Sequence, residues 1–475
     1  MRKKRLNKVI VGALSTVMIV TAFAGCGSSG KNSGQTQGNK SDESKESSKV
    51  VVDFWSAPEQ YSLDFWTKYA EKFNDSNTKI NGKNIEVKVQ MMPAQPSSEA
   101  GIQNAIATGT VPALSENINR SFANTLAESQ AVYDLSGEDW FDDVVDERQI
   151  EETMKGWAIQ GSQFVLPLYV NPITWCYNSK ALKELGVNDV PQTKADLDAL
   201  LGTFKEKQEE LKNVGVTHFM YRPELLNSAN YWERWFDVES PYDAMSKGTP
   251  LVDGNKLTAD KEALQKVFEM YGAMGSSLLT GTIDGLWQQD TVQVVMGCGL
   301  PWDITANNAA GKKYGLDGDY VFGPSIVEND GDTHYNYADS KGIVLYKNKS
   351  ITEDEHKGAI EFLKYVFIGE GKDSFDLDWM ETTAMLPVRG DLESNDKLES
   401  FFDKNPAFKD IRAYVADAIP GSAHEKSADI MTALGEKAII PLIQDVTKRE
   451  IGENPDVSQY VDTALEAMKT AGGLD

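Results

Sequence analysis

Three segments between residues 50 and 118 decide the fold, and they read VVVDFW (50–55), IEVKVQM (85–91) and VPALSENI (111–118). The first and third are largely apolar runs and the second alternates between apolar and polar residues, so each predicts a β-strand. The two stretches between them, 62–73 and 98–108, carry apolar residues at helical spacing. The order βαβαβ predicts an α/β protein in which helices cover both faces of a mainly parallel sheet.

The same alternation continues beyond residue 118, so the α/β interpretation extends over the rest of the chain. Ser62 is expected to cap the helix that follows the first strand, because a serine hydroxyl can accept a hydrogen bond from a free N–H of the first turn. Apolar runs and helical periodicity predict strands at 217–221, 292–296 and 342–346, and helices at 194–209 and 357–367.

The first 49 residues predict export and attachment to a membrane. Five basic residues between positions 2 and 8 and an uncharged, largely apolar run over 9–24 form a secretory signal peptide, residues 1–25. The stretch TAFAGC (21–26) resembles a bacterial lipobox, which implies that Cys26 becomes the lipidated first residue. An ordinary signal peptide with an incidental cysteine is the alternative.

Residues 27–49 are polar and lack large apolar side chains, so Cys26 and this stretch (26–49) predict a lipid anchor followed by a flexible tether. We therefore expect a protein held at the extracellular face of the cell membrane, or on the periplasmic side if an outer membrane is present. The anchor at Cys26 is the only membrane attachment that the sequence predicts, since no later segment is apolar over about 18 residues.

Length and charge narrow the possible functions. The chain has 475 residues, which is too long for one ordinary core, so two or three domains are expected. Its net charge of −25 argues against nucleic acid as a partner. Three cysteines are too few for a disulfide-stapled scaffold. With Cys26 in the anchor, Cys176 and Cys298 form two buried thiols or one bridge, and we expect a monomer.

Motifs for catalysis or cofactor binding are missing from the sequence. It contains no GxSxG, HExxH, Walker A or GxGxxG motif, and the four histidines are not spaced as metal ligands. The sequence therefore predicts neither an enzyme nor a metal or cofactor protein. With 72 acidic residues, a carboxylate pair suited to glycoside hydrolysis stays open as an alternative.

An ordered set of segments resembles the extracellular solute-binding proteins of the maltose-binding type, family 1 of such proteins. Where that family usually has Asp after the proline at 112, this chain has Ala113. The resemblance covers residues 50–475. The matching segments are VDFWS (52–56), YAEKFN (69–74), IEVKV (85–89), IQNAIATGTVP (102–112), FVLPLY (164–169), WCYNSK (175–180), DTVQVVMGCGLPW (290–302) and YADSKGIVL (337–345).

The resemblance implies two α/β lobes joined by hinge segments, with the ligand in the cleft between them. Lobe 1 would comprise residues 50–168 plus 340–382, and lobe 2 residues 174–334 plus 387–475. The family implies capture of a carbohydrate, a mono- or oligosaccharide, and its delivery to the permease subunits of an ATP-binding-cassette (ABC) importer. An anchored polysaccharide-degrading enzyme and a sensor that presents ligand to a membrane receptor are the competing hypotheses.

Sugars present flat C–H faces ringed by hydroxyls, so their sites need aromatic platforms and planar hydrogen-bonding groups. Trp302 is the principal platform expected, because it follows a turn rich in glycine. Core packing for Trp55, helix capping for Asp303 and a solvated charge for Glu59 remain alternatives. The resemblance and the positions of strand ends place these residues at the cleft: Trp55, Glu59, Asn119, Arg120, Asn171, Arg222, Trp232, Trp302, Asp303, Tyr337 and Asp339.

The sign of the ligand's charge stays open at this point. Arg120 and Arg222 raise the alternative of an acidic sugar, such as a uronate oligomer, because a guanidinium binds carboxylates in a bidentate geometry. Nothing in the sequence shows that the two guanidinium groups converge. A neutral sugar is therefore preferred.

Overall fold

The computed structural model of the chain describes residues 49–95, 97–223, 236–281 and 283–475. The predicted signal peptide, Cys26, nearly all of the tether and Trp232 lie outside these ranges. Among the described helices, none combines the length and the apolar composition needed to cross a bilayer.

The strands within the described ranges follow one another along the whole body of the chain. They are β1 (Lys49–Ser56), β2 (Lys79–Ile80), β3 (Lys83–Met91), β4 (Leu114–Ile118), β5 (Leu166–Pro172), β6 (Thr174–Asn178), β7 (His218–Pro223), β8 (Val252–Asp253), β9 (Lys256–Leu257), β10 (Leu278–Gly281), β11 (Val294–Gly299), β12 (Tyr320–Gly323), β13 (Asn336–Leu345), β14 (Leu386–Pro387) and β15 (Ala418–Pro420).

Helices alternate with these strands. They are α1 (Gln60–Asp75), α2 (Ser98–Thr108), α3 (Arg120–Glu128), α4 (Asp139–Arg148), α5 (Glu151–Trp157), α6 (Ser179–Leu185), α7 (Lys194–Glu206), α8 (Gln208–Lys212), α9 (Phe236–Met245), α10 (Lys261–Met274), α11 (Asp303–Ala309), α12 (Glu353–Phe367), α13 (Lys372–Thr383), α14 (Asp396–Lys404), α15 (Pro406–Arg412), α16 (Ser427–Leu434), α17 (Ile440–Val446) and α18 (Ser458–Gly472). Short 3₁₀ turns cover Gly275–Ser277 and Leu286–Gln288, and a π-helical turn covers Gly435–Ile439.

Two larger sheets carry the fold. The strands of the first sheet are ordered β14–β5–β13–β4–β1–β3–β2, with β15 paired to β13, and those of the second are ordered β10–β7–β11–β6–β12. β1 pairs in parallel with both β3 and β4, as the βαβαβ order predicts. The predicted α/β class is therefore confirmed.

Three local predictions need correction. Ser62 does not cap α1, because the helix begins at Gln60 and the Ser62 hydroxyl donates instead to the buried Glu116 carboxylate. The helix expected over 194–209 is interrupted after Glu206 and divides into α7 and α8. The strand expected at 342–346 is the end of β13, which begins at Asn336 and runs antiparallel to β4 and β5.

One residue, Ile173, separates β5 in the first sheet from β6 in the second, so the chain crosses between the sheets at this point. The Ile173 N–H donates to the Tyr337 carbonyl over 2.8 Å. The Ser240 hydroxyl of α9 donates to the Ile173 carbonyl over 2.7 Å and accepts from the Tyr337 N–H over 3.2 Å. Beside this contact, Asn171 of β5 lies opposite Asp339 of β13. Both crossing segments are thus fixed to α9.

Buried apolar side chains form two clusters, and the first of them also takes in Val294 of β11 and Phe322 of β12 from the second sheet. Phe54, Trp66 and Phe362 belong to the core of the first sheet, and Tyr177 and Phe268 to that of the second. Helices α14 and α15 add buried side chains to the first core, although the sequence analysis placed them in the second lobe. α15 also reaches the second sheet, where the Tyr314 hydroxyl donates to Asp410 over 2.6 Å. The lobe boundary near residue 387 stays a prediction.

A buried ion network ties the short strand β14 to α4 and α13. Arg148, at the end of α4, donates to both carboxylate oxygens of Asp376 over 3.0 and 3.2 Å and to the Val388 carbonyl over 2.9 Å. Arg389 also donates to Asp376, over 3.1 Å, and to Asp391 over 2.6 and 2.9 Å. Arg148 is 1% exposed. Such a network is stable only while every charge has its partner.

Asp376→Asn should therefore destabilise the protein by about 3–5 kcal/mol, because two buried guanidinium groups lose their shared anion. Urea unfolding followed by circular dichroism measures this loss. Glu152→Gln is the matched control: it breaks the ion pair with Lys155, in which the two side chains are 85% and 70% exposed, and should leave the unfolding curve unchanged. Equal effects of the two substitutions would contradict the structural role of the network.

Candidate functional site

A cavity of about 260 Å³ lies where the two sheets meet, beside the crossing strand β13. The first-sheet side contributes α2, α3 and the start of β13, while α9, Val252 of β8 and α16 close the opposite side. Its charged and amide side chains are Glu99, Gln103, Asn119, Arg120, Glu239, Asp339 and Glu425. Four residues that the sequence placed at the cleft therefore come together here: Asn119, Arg120, Tyr337 and Asp339.

Asn119 and Arg120 owe their positions to the end of β4 and the start of α3. The Asn119 side chain caps α3 by accepting from the Phe122 N–H over 2.7 Å. Arg120 begins that helix, and its guanidinium donates to the Ala158 carbonyl over 2.6 Å. The Nε of Arg120 is buried and has no hydrogen-bond partner among the described residues. An acceptor group of a ligand could complete this site.

A second cavity of about 280 Å³ lies on the other side of Arg120. It is lined by Asn124 of α3, by Asp253 of the β8–β9 hairpin and by His424, among others. Burial lowers the pKa of Arg120, and the charge of Asp253 opposes this shift. Arg120 and Val252 line both cavities and therefore lie between them.

Lys341 interacts with several polar groups on the first-sheet side of the site. Its Nζ donates to the Asn117 side-chain oxygen over 2.8 Å, and its charge interacts with the carboxylates of Glu59 and Glu99. Asn117 has a φ of 64°, in the left-handed region that asparagine tolerates better than most residues.

A buried carboxylate, that of Glu116, stabilises the loop that carries Glu59. Glu116 is 1% exposed and accepts from the Ala57 N–H over 2.7 Å and from the Ser62 hydroxyl. Burial raises the pKa of Glu116, and these two hydrogen bonds oppose that shift. Because Ala57 and Ser62 flank Glu59, their contacts with Glu116 fix the conformation of the loop between β1 and α1.

Three aromatic rings extend from the cavity toward Trp302. Tyr337 lines the cavity, and its ring centroid lies 5.3 Å from that of Phe236. Phe236 in turn meets Trp302 edge to face, with centroids 6.3 Å apart. Trp302 is partly buried at the start of α11, and Asp303 is the first residue of that helix. Trp302 does not line the first cavity itself, so its expected platform role stays a prediction.

The structure gives Arg222 a different environment from the one expected. Its side chain is fully buried, and its guanidinium lies 2.6 Å from the Asp237 carboxylate at the nearest atoms. The Tyr271 hydroxyl also donates to Asp237, over 2.7 Å. A guanidinium that is enclosed and already paired is not available to a ligand, so Arg222 leaves the candidate set.

Two further candidates lie away from the first cavity. Trp55 is 8% exposed and packs in the core of the first sheet, in agreement with its alternative reading as a core residue. Asn171 is 1% exposed on β5, and its side-chain oxygen has no partner among the described residues. Asn171 therefore retains an unsatisfied polar atom at the crossing.

The sequence analysis missed the contributions of α9 and of the segment before α16. Glu239 is a buried carboxylic acid inside α9, and Glu425 and Ser427 line the same cavity. A strand-end rule cannot find these residues, since none of them follows a strand directly. In the sequence, charged and apolar residues alternate at the start of 236–245 and Pro241 interrupts the run, so no helical periodicity marks α9.

Other chemistry is not assembled in the described part of the chain. No group of three or more His, Cys, Asp or Glu residues is placed there to hold a metal ion. Cys176 and Cys298 lie on the neighbouring strands β6 and β11 and are not joined by a disulfide. Of the two, Cys176 is buried and Cys298 only partly so. The structure thus has two thiols in place of the alternative single bridge.

Comparison with known proteins identifies relatives of this fold. A profile of the family described as bacterial extracellular solute-binding protein matches residues 68–410, more than half of the chain. The structure of an uncharacterized protein from Listeria monocytogenes EGD-e is 31% identical and has a TM-score of 0.75, and the match covers 87% of this chain and 99% of that one. A comparison with curated protein sequences found no match.

More distant structures share the fold alone. A cyclic alpha-maltosyl-1,6-maltose binding protein from Arthrobacter globiformis is 16% identical, with a TM-score of 0.63 and coverage of 89% of this chain and 98% of that one. The maltose/maltodextrin-binding domain of Bdellovibrio bacteriovorus, bound to maltotriose, is also 16% identical, with a TM-score of 0.57 and coverage of 89% and 99%. The resemblance proposed from the sequence, a maltose-binding type of two-lobe fold, is confirmed.

The burial of Glu239 predicts a pH dependence of stability. Burial raises its pKa from 4.5 to about 8, so the folded protein holds this proton more tightly than the unfolded chain does. The titration of Glu239 should therefore lower the free energy of unfolding of the wild type as the pH rises from about 4.5 to about 8. Glu239→Gln removes this titration.

Urea unfolding of both proteins at pH 5, 6.5 and 8 measures the effect. The free energy of unfolding of Glu239→Gln, relative to the wild type, should increase steadily across this range. A difference that is the same at all three pH values would contradict the protonated state of Glu239. Glu262→Gln, whose side chain is 80% exposed, controls for the loss of a carboxylate.

Proposed function

The chain belongs to the bacterial extracellular solute-binding proteins, and we propose that it captures a saccharide in the cavity between its two sheets. The bound saccharide then passes to the permease subunits of an ABC importer. Members of this family are substrate-binding proteins and not enzymes, so the polysaccharide-degrading alternative is set aside.

The lining of the first cavity carries this proposal. A saccharide needs acceptors and donors at fixed positions around its hydroxyls and an aromatic face for its C–H groups. Asp339 supplies acceptors, the unpartnered Nε of Arg120 supplies a donor, and Tyr337 supplies a ring. Because α3 and β13 face α9 across the cavity, a bound ligand would contact both sides of the crossing. Ligands that do so favour closure of two-lobe proteins.

The size of the site supports a mono- or short oligosaccharide. The two cavities of about 260 and 280 Å³ share Arg120 and Val252 as lining residues. Taken together they fall in the range of about 300–1,000 Å³ that is usual for small-molecule pockets. Similar structures include proteins described as binding maltose-type saccharides, which favours the same class of ligand here.

The charge of the site weighs against the acidic-sugar alternative. Glu99, Glu239, Asp339 and Glu425 line the first cavity together with one guanidinium, that of Arg120. A uronate would add a further negative charge to this group, and like charges at short range are mutually destabilising. Arg222, the second residue that favoured an acidic sugar, is paired with Asp237.

Saccharide binding is tested by thermal unfolding of the purified chain in the presence of neutral and acidic saccharides. A saccharide ligand at a hundredfold excess over its Kd should stabilise the protein by about 2.7 kcal/mol. Asp339→Asn should weaken that ligand about tenfold or more, because it loses a charged acceptor. Lys155→Ala, at a side chain that is 70% exposed, should change nothing. Stabilisation by amino acids or peptides alone would contradict the proposal.

The lipid anchor is tested separately, through Cys26. The wild type should fractionate with membranes and Cys26→Ser with the soluble material, because serine cannot carry the thioether-linked lipid. Both proteins should respond equally to the saccharide ligand, which controls for folding. Membrane association that is the same for both proteins would remove Cys26 as the anchor.

A further inference from the structure

Glu239 is the feature of the cavity that a neutral saccharide does not explain. Its side chain lines the cavity but is only 7% exposed. Burial is the one cause of its raised pKa, since no cation or hydrogen-bond donor of the described residues offsets the loss of water. This carboxyl group has no counterpart of the guanidinium partners that the buried Asp237 and Asp376 possess.

A second carboxyl group lies directly behind it. Asp243 is one helical turn further along α9, which places it on the same face as Glu239. It is 3% exposed, and its Oδ2 has no hydrogen-bond partner among the described residues. Burial and the charge of Glu239 both raise the pKa of Asp243. The pair therefore strongly favours a positive charge in its neighbourhood.

The groups across the cavity do not supply that charge. Glu99, Asp339 and Glu425 are acidic, and Arg120 is the one cation among the charged groups that line the cavity. The charge of the Arg120 guanidinium interacts with that of Asp253, which lines the second cavity. The lining thus holds four carboxyl groups, Glu99, Glu239, Asp339 and Glu425, and one cation, Arg120.

One aromatic ring lines the cavity together with Glu239, and a second ring packs against the first. Tyr337 lines the same cavity, and Phe236, three residues before Glu239 on α9, packs against Tyr337 with a centroid distance of 5.3 Å. Ring faces attract cations through their quadrupole, so Tyr337 adds to the attraction that a carboxylate at the same cavity exerts on an ammonium group. A hydroxyl can donate to a carboxylate, but only a cation such as an ammonium offsets the charge of a buried one.

We propose that the cavity selects a saccharide that carries a protonated amino group, and that this ammonium binds against the Glu239 carboxylate. The inference rests on the proposed function, because it names the class of saccharide that the site takes. The ammonium supplies the missing partner of Glu239, while Asp339 and Arg120 bind the hydroxyl groups around it.

Matched saccharides that differ at one substituent test this inference. The first set is β-1,4-linked disaccharides and tetrasaccharides of glucosamine, of N-acetylglucosamine and of glucose, which share one skeleton and differ in the substituent at carbon 2. Galactosamine and galactose form a second set that differs in the same way. Isothermal titration calorimetry of the purified chain should give a Kd at least tenfold lower for an amine-bearing saccharide than for its hydroxyl counterpart. Glu239→Gln should abolish this preference, while Glu262→Gln, at an exposed side chain, should retain it.

Proton release provides a readout that does not depend on a variant. When an ammonium binds, Glu239 should ionise, so titrations in buffers of different ionisation enthalpy at pH 7 should show net proton release by the wild type. A neutral saccharide that binds more tightly than every amine-bearing one, or an unchanged preference in Glu239→Gln, would overturn the inference and leave saccharide binding intact. If no saccharide of either kind binds, the proposed function itself fails.

Discussion

The hydrogen bonds around Ile173 and Tyr337 hold the two sheets in the arrangement on which the site depends. The Ser240 hydroxyl is 3% exposed and contacts the backbone of both crossing segments, so α9 cannot shift without breaking these bonds. Glu239 immediately precedes Ser240, and Tyr337 lines the cavity itself. The residues that join the sheets are therefore the sequence neighbours of residues that line the cavity. Any movement of one sheet against the other would change the ligand's surroundings directly.

Buried charged groups are paired in some parts of the molecule and unpaired in others. Arg222 is paired with Asp237, and Arg148 with Asp376, and both acids are themselves buried. Such pairs avoid the large cost of an isolated charge away from water. Glu239 lies in equal burial without a comparable partner. The unpaired carboxyl group at the cavity is therefore a property of the site and not of the fold as a whole, because Arg222 and Arg148 of the same chain are paired with buried acids.

Local patterns sufficed for much of the fold. Apolar runs and periodicity located β1 and β3, and α2 has the bounds that its spacing predicts, because side chains of these elements face a core. The strand-end rule found Asn119 and Arg120 for a related reason, since β4 is central in its sheet. It could not find Glu239 or the burial of Arg222, because both depend on contacts with chain segments distant in sequence. The antiparallel entry of β13 likewise depends on pairing with β5, which no local pattern encodes.

The ion network at β14 limits how this chain can change over generations. Asp376 accepts from both Arg148 and Arg389, and Arg389 also depends on Asp391. A neutral replacement at one of these positions leaves charged neighbours enclosed, so it is tolerated only together with a second change nearby. We therefore expect the four positions to vary together among related chains, because each depends on the geometry of a single carboxylate. This constraint is independent of the ligand, since none of the four lines the first cavity.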